Sequence, residues 1–147
     1  MLTIEVDDRA FSAYWAQLQA RVGDLSPVLA AIGQEMENRI SGRFETESDP
    51  SGASWAPWAP ATLESYPKDG NRRLLDRYGD LMGSLNWHAD SSSVTVGFGQ
   101  PYAAYHEWGT KRMPRRGLMF QNPDAGTLAP ADERAVIDVL TEWLDLA

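Results

Sequence analysis

The sequence contains no cysteine. That excludes disulfides, thiolate nucleophiles and cysteine-based zinc sites. Histidine is almost as scarce, with only His88 and His106 among 147 residues. A zinc-peptidase helix needs two histidines four apart with a glutamate beside the first. His106 and Glu107 supply half of that pattern, but the position that should hold the second histidine is Thr110. No run approaches the roughly 20 apolar residues that cross a bilayer. The opening MLTIEVDD lacks the basic and apolar regions of a signal peptide, so the chain reads as one made and kept in a cytoplasm. Glycine-rich phosphate cradles are missing too, since neither GxxxxGK[ST] nor GxGxxG occurs. SGASW (residues 51–55) resembles a nucleophile elbow only loosely and sits in a proline-rich stretch. Bases are outnumbered, 13 Lys and Arg against 21 Asp and Glu, for a net charge of -8. That balance argues against a phosphate backbone as the main partner. No catalytic residue, cofactor-binding residue or metal ligand is assigned.

What remains is an ordinary globular composition, 43% hydrophobic, of a length that fits one domain spanning 1–147. Leu2–Val6 alternates apolar and polar residues and reads as a short strand, with Asp7 or Asp8 capping the helix behind it. In that helix Phe11, Trp15, Leu18 and Val22 recur at helical spacing and predict one buried stripe ending at Gly23. A longer helix begins with Ser26 as cap and Pro27 in its first turn. Its apolar residues, Val28, Ile32, Met36, Ile40 and Phe44, repeat every four positions. Such a stripe drifts about 40° per repeat, so its two ends should meet different neighbours, one of them in another subunit. Residues 48–61 read as a loop carrying Trp55 and Trp58, which either cover the domain's own core or anchor a partner. A short helix comes next at ATLESY, and Leu74, Leu75, Tyr78, Leu81, Met82 and Leu85 predict another over Arg72–Leu85.

The apolar period then changes to two. Leu85, Trp87 and Ala89, then Val94, Val96 and Phe98 past the turn DSSS, predict a β-hairpin with His88 on its polar face beside Thr95. PYAAYHEWG predicts a short helix stopped by Gly109, with Tyr102, Tyr105 and His106 on one side and the two tyrosines on Trp87 and Val96. His106 and Glu107 are expected to hold the adjoining loop by hydrogen bonds or ion pairs, with Arg112 or Arg115 as partners. A brief strand over Gly117–Gln121 and a last helix from Pro130 complete the chain, with Asp132 and Glu133 favoured by the helix dipole and Val136, Leu140, Trp143 and Leu144 as its stripe. The fold class is therefore α+β: a small antiparallel sheet, the N-terminal strand plus the hairpin, packed with several helices.

Charge is uneven. Of the five bases in residues 101–147, four (Lys111, Arg112, Arg115 and Arg116) fall within KRMPRR. Interrupted by proline, this tract forms neither a recognition helix nor an aromatic-studded sheet, and a small basic spot on an acidic body suits carboxylates of a partner chain better than DNA.

The ordered set FETESDPSGASWAPWAPATLESY, LLDRYGDLMGSL, VTVGFGQPYAAYHEWGT and RMPRR, with an amphipathic helix after it, resembles the phage virion morphogenesis family over about residues 40–147. More loosely, the YA…E.GT corner is similar to that of small head–tail joining proteins. Members of the family usually carry RPFLG or similar after the basic turn; here RRGLMFQNPDAGTLAPADE stands instead. The resemblance implies a structural, non-enzymatic component of a tailed phage. It would work at the head-proximal tail end or neck, after assembly in the host cytoplasm, as a ring with the sixfold symmetry of the tail. Its partners would be itself, the tail tube protein and connector or stopper proteins, with no membrane and no specific nucleic acid, although the genome passes through such a ring. The interface would draw on Trp55, Trp58, Tyr102, Tyr105, His106, Glu107, Lys111, Arg112, Arg115 and Arg116. Readings of other classes are a non-catalytic cytoplasmic adaptor or nucleic-acid-associated module, and a hydrolase using Ser54 or His106.

Overall fold

A computed structural model describes residues 9–66, 68 and 70–145, and side chains from residue 12 onward. Its elements are α1 (Arg9–Gly23), α2 (Ser26–Thr46), α3 (Pro60–Ser65), α4 (Asp80–Gly83), β1 (Leu85–Ala89), β2 (Val94–Phe98), α5 (Ala103–Trp108) and α6 (Pro130–Leu144). The fold is a small α+β arrangement: one antiparallel hairpin and six helices among the described residues. The strand expected at Leu2–Val6 and its Asp7 or Asp8 cap lie outside the described residues.

Helix α2 is the spine. Ser26 is its first residue and not its cap: the N-cap position is Leu25, which offers no side-chain acceptor, and the Asp24 carboxylate just before it accepts the Ser26 N–H at 2.9 Å. A side-chain acceptor at this point satisfies one of the helix's first unpaired amides. All five residues of the four-repeat stripe are buried, Ile40 and Phe44 completely. The drift is real, but its different neighbours all come from this chain: the hairpin, α6, and the loops carrying Trp55 and Leu118. No second subunit is needed to cover it. Phe44 shows how the turn of the stripe is used, meeting Trp55 edge-on at 5.6 Å and Phe98 at 6.2 Å. Gly33 has a matching purpose. A Cβ there would lie 2.7 Å from the Trp87 ring, so the glycine lets β1 lie against the helix backbone. The helix runs unbroken through Gly42 and ends at Glu47, which takes the left-handed conformation at φ 51°.

The hairpin has the expected register, Trp87 opposite Val96 and His88 opposite Thr95, with His88 exposed. Three other expectations need correction. Arg72–Leu85 is not a helix; only Asp80–Gly83 is. Leu75 adopts φ 59° and Gly79 φ 82°, and the buried Asp76 carboxylate takes Asn71 Nδ2 at 3.1 Å and Arg73 Nη2 at 2.7 Å, which closes a turn in place of helical bonds. Helix α1 does not bury its stripe: Trp15 and Val22 remain about half exposed, at 49% and 50%. In α6 the inward side is Asp132, Val136, Val139 and Trp143, and Leu140 faces outward at 38% exposure. Asp132 owes its position to more than the helix dipole. It is fully buried, bonded by Arg39 Nε at 2.7 Å and ion-paired with Arg43, and so joins α6 to α2.

Candidate functional site: the corner at residues 101–120

Helix α5 is short because Gly109 leaves it at φ 73°, a conformation that L side chains rarely adopt. Space demands glycine as well, since a Cβ would sit 2.9 Å from the Arg115 backbone nitrogen. The chain then doubles back. Thr110 Oγ1 accepts the Arg112 and Met113 amides at 3.2 and 3.1 Å, and the Arg116 N–H donates to the His106 carbonyl at 2.8 Å.

Glu107 fixes the path of the returning chain. It is 4% exposed, and its two oxygens accept the consecutive N–H groups of Leu118, Met119 and Phe120 at 2.6, 3.0 and 2.9 Å. Three successive amides converging on one carboxylate form an anion-binding concavity filled by the protein's own side chain. These amides are therefore unavailable to a sheet, and the strand expected over Gly117–Gln121 does not form. Arg115 reinforces the turn, its Nε on the Glu107 carbonyl at 2.6 Å and its Nη2 on the Phe120 carbonyl at 2.5 Å and the Glu107 carboxylate at 3.4 Å.

The corner is also sewn to the tryptophan loop. Trp55 Nε1 donates to the Gly117 carbonyl at 2.9 Å, while Arg116 returns Nε to Ala56 O and Nη2 to Pro57 O, both at 2.8 Å. Arg43 Nη1 reaches the Leu118 carbonyl at 2.6 Å and so links the corner to the ion-paired Asp132. Burial holds the Arg116 guanidinium below its ordinary pKa.

The predicted interface residues thus divide. Trp55, Glu107 and Arg116 are buried and bonded within the chain, and Arg115 is largely committed there. Lys111, Arg112, Tyr102 and Tyr105 are exposed. Arg115 is the partner expected for Glu107, whereas Arg112 is not. Nor are Tyr102 and Tyr105 turned toward the hairpin core; they are 38% and 59% exposed. The inward residues of α5 are Ala103 and Glu107, four apart, which rotates the tyrosines outward.

Between the tryptophan loop and the corner lies a groove of about 700 Å³, walled by Trp58, Tyr66, Arg77, Tyr102, His106 and Arg112 among others. Trp58 and Tyr66 have ring centres 4.8 Å apart, and the guanidinium groups of Arg72 and Arg77 sit over Tyr66 at 5.6 and 5.4 Å. Burial raises the Tyr66 phenol pKa. His106 stands edge-on to Tyr102 at 6.3 Å, and its buried Nδ1 has no hydrogen-bond partner among the described residues. Its pKa is lowered, first by burial and then by the positive charge of Arg116. Both Glu107 oxygens are taken by backbone amides and not by the adjacent His106. The arrangement offers aromatic faces and free positive charge, which suits recognition of a partner surface.

The model of the phage virion morphogenesis family matches residues 6–145. The chain belongs to that family. The phage virion morphogenesis assignment takes in α1 and nearly the whole of the sequence, more than the motifs alone suggested. A relative, the Mu-like prophage FluMu G protein 2 of Haemophilus influenzae, is 22% identical over 147 residues, covering 99% of this chain and 98% of its own. No solved structure matches the chain. Among the described residues of this family member, no helix is long and apolar enough to cross a membrane.

Proposed function

We propose that the protein completes the head-proximal end of a phage tail and enables head–tail joining, as a non-catalytic, ring-forming neck or tail-terminator subunit with the sixfold symmetry of the tail. Membership of the virion morphogenesis family supports a structural part in phage assembly. The single observation that carries the finer reading is the corner itself. Its buried Glu107 and Arg116, with Arg115, bond backbone groups of their own chain, while Lys111 and Arg112 stay exposed beside an aromatic groove on a protein of net charge -8. A fixed, locally basic surface on an acidic body favours acids on a neighbouring subunit, tail tube protein or connector. The genome crosses such a ring without sequence-specific contact.

The test is complementation of a phage lacking the gene with the double variant Lys111→Glu, Arg112→Glu. Both side chains are exposed, so melting should stay within a few degrees of the parent. Electron microscopy should then show filled heads and separate tails. Joined particles at the parental yield would refute the role of the corner in joining.

A further inference from the structure

The groove between the tryptophan loop and the corner gathers positive charge that no carboxylate cancels. Arg72 and Arg77 lie over the face of Tyr66, at 5.6 and 5.4 Å. Arg112 is exposed, and its side chain has no partner among the described residues. Arg116 gives its hydrogen bonds to the carbonyls of Ala56 and Pro57, which leave its charge in place. None of these four guanidinium groups forms an ion pair among the described residues. Against them stand Asp80, exposed on the groove wall, and Asp76, already paired with Arg73. The result is a basic groove on a protein of net charge -8.

Two polar atoms in its walls are unsatisfied as well. The Tyr66 hydroxyl and His106 Nδ1 are buried and have no hydrogen-bond partner among the described residues. Buried polar atoms are nearly always bonded, so two in the walls of one groove mark a site short of a partner. The arginines beside Tyr66 are donors; what this wall lacks is an acceptor. Trp58 and Tyr102 add aromatic faces, and the volume of about 700 Å³ suits a few side chains and not a large surface.

We propose that the groove receives an acidic segment of a different protein, with a carboxylate facing Arg77 and Arg112 and an adjoining apolar side chain against Trp58 and Tyr102. A nucleic acid would carry a run of phosphates past Asp80 and into the field of an acidic body, whereas a single carboxylate avoids that repulsion. A second copy is a poor source of the segment. The loop acids Asp24, Glu47, Asp49, Asp90 and Asp124 are each bonded within their own chain already. The inference rests on the joining reading only for which protein supplies the segment.

The scarcity of histidine makes the test direct. His106 stands in the groove wall, and His88, exposed on the hairpin opposite Thr95, is a control within the same chain. Both imidazoles are followed by NMR in the purified protein. The probes are the blocked peptide acetyl-Phe-Asp-Glu-Leu-amide, its counterpart with Asn and Gln in place of the acids, inorganic phosphate and a short single-stranded oligothymidine. The acidic peptide should move the His106 signals saturably and leave those of His88 in place. Each of the other probes should bind about tenfold more weakly or worse. Arg77→Gln and Arg112→Gln should each weaken the acidic peptide about two- to fivefold, the range of exposed ion pairs. No movement of His106 at millimolar acidic peptide would overturn the proposal. Equal binding of the uncharged peptide, or tighter binding of the oligonucleotide, would do so too. Arg77→Glu should sediment at the parental mass, and a lower mass would assign the groove to a second copy instead. Peptide binding together with normal joining by phage carrying Arg77→Glu would keep this site and remove it from joining. Failed joining in the Lys111→Glu, Arg112→Glu variant without any peptide binding would do the reverse.

Discussion

Replacing Glu107 by glutamine tests whether this carboxylate holds the corner together. It receives three amides, two on Oε2 from Leu118 and Met119 and one on Oε1 from Phe120, with Arg115 3.4 Å from Oε1. Glutamine keeps the shape but has one accepting oxygen. Its best arrangement turns that oxygen toward Leu118 and Met119, and its NH2 then faces the Phe120 N–H and the Arg115 guanidinium. One buried donor loses its acceptor, at about 1–3 kcal/mol, and the two bonds that remain lose the help of the negative charge. A total near 2–4 kcal/mol is a large share of the roughly 5–15 kcal/mol that stabilises a domain. For a chain of this length it corresponds to a fall in melting temperature of roughly 6–15 °C. Urea unfolding gives the first number. Amide exchange shows where the loss occurs, with protection falling most at Phe120. A Glu107→Gln protein within 0.5 kcal/mol of the parent by urea, or one whose Phe120 amide keeps its protection, would refute the reasoning.

Buried polar groups elsewhere supply two other predictions. Asp132→Asn removes the charge facing Arg39 and Arg43 inside the protein, and breaking one side of such a group should cost about 3–5 kcal/mol by urea unfolding. Adding Arg39→Ala and Arg43→Ala to complete a double-mutant cycle should show strong non-additivity, and simple additivity would mean the contact carries no energy. His106 should give the chain a pH dependence. Its folded pKa is lowered from 6.5, so the unfolded chain binds the proton more tightly. Stability from this group is therefore complete above about 6.5 and declines as pH falls from there through the depressed folded value. His106→Gln should flatten that part of the stability profile, and an unchanged slope would assign the effect elsewhere.

The sequence made elements legible where one local period ruled. The hairpin, α2 and α5 have the expected boundaries within a residue or two, because alternation and four-residue repeats report directly on which side is covered. It misled where one side chain outranks the pattern. Leu74, Leu75, Tyr78 and Leu81 have helical spacing, but the buried Asp76 gathers Asn71 and Arg73 and imposes a turn. Glu107 likewise consumes the amides that a strand at Gly117–Gln121 would have used. In the corner, Gly109 and the pairing of Glu107 with Arg115 were readable because they are close in sequence. The bonds from Arg116 to Ala56 and Pro57 were not, since carbonyl acceptors leave no mark on residue identity. Asp132 looked like an ordinary first-turn acid. The only hint of its burial was the pair of arginines four apart, Arg39 and Arg43, on the opposite helix.

The reciprocal stitching of Trp55 to Gly117 and of Arg116 to Ala56 and Pro57 bears on how tightly such a surface can hold. Two irregular segments that would otherwise writhe independently have surrendered their freedom during folding. A visitor to the cleft between them therefore forfeits little additional entropy from this side, and modest contact area translates into longer residence.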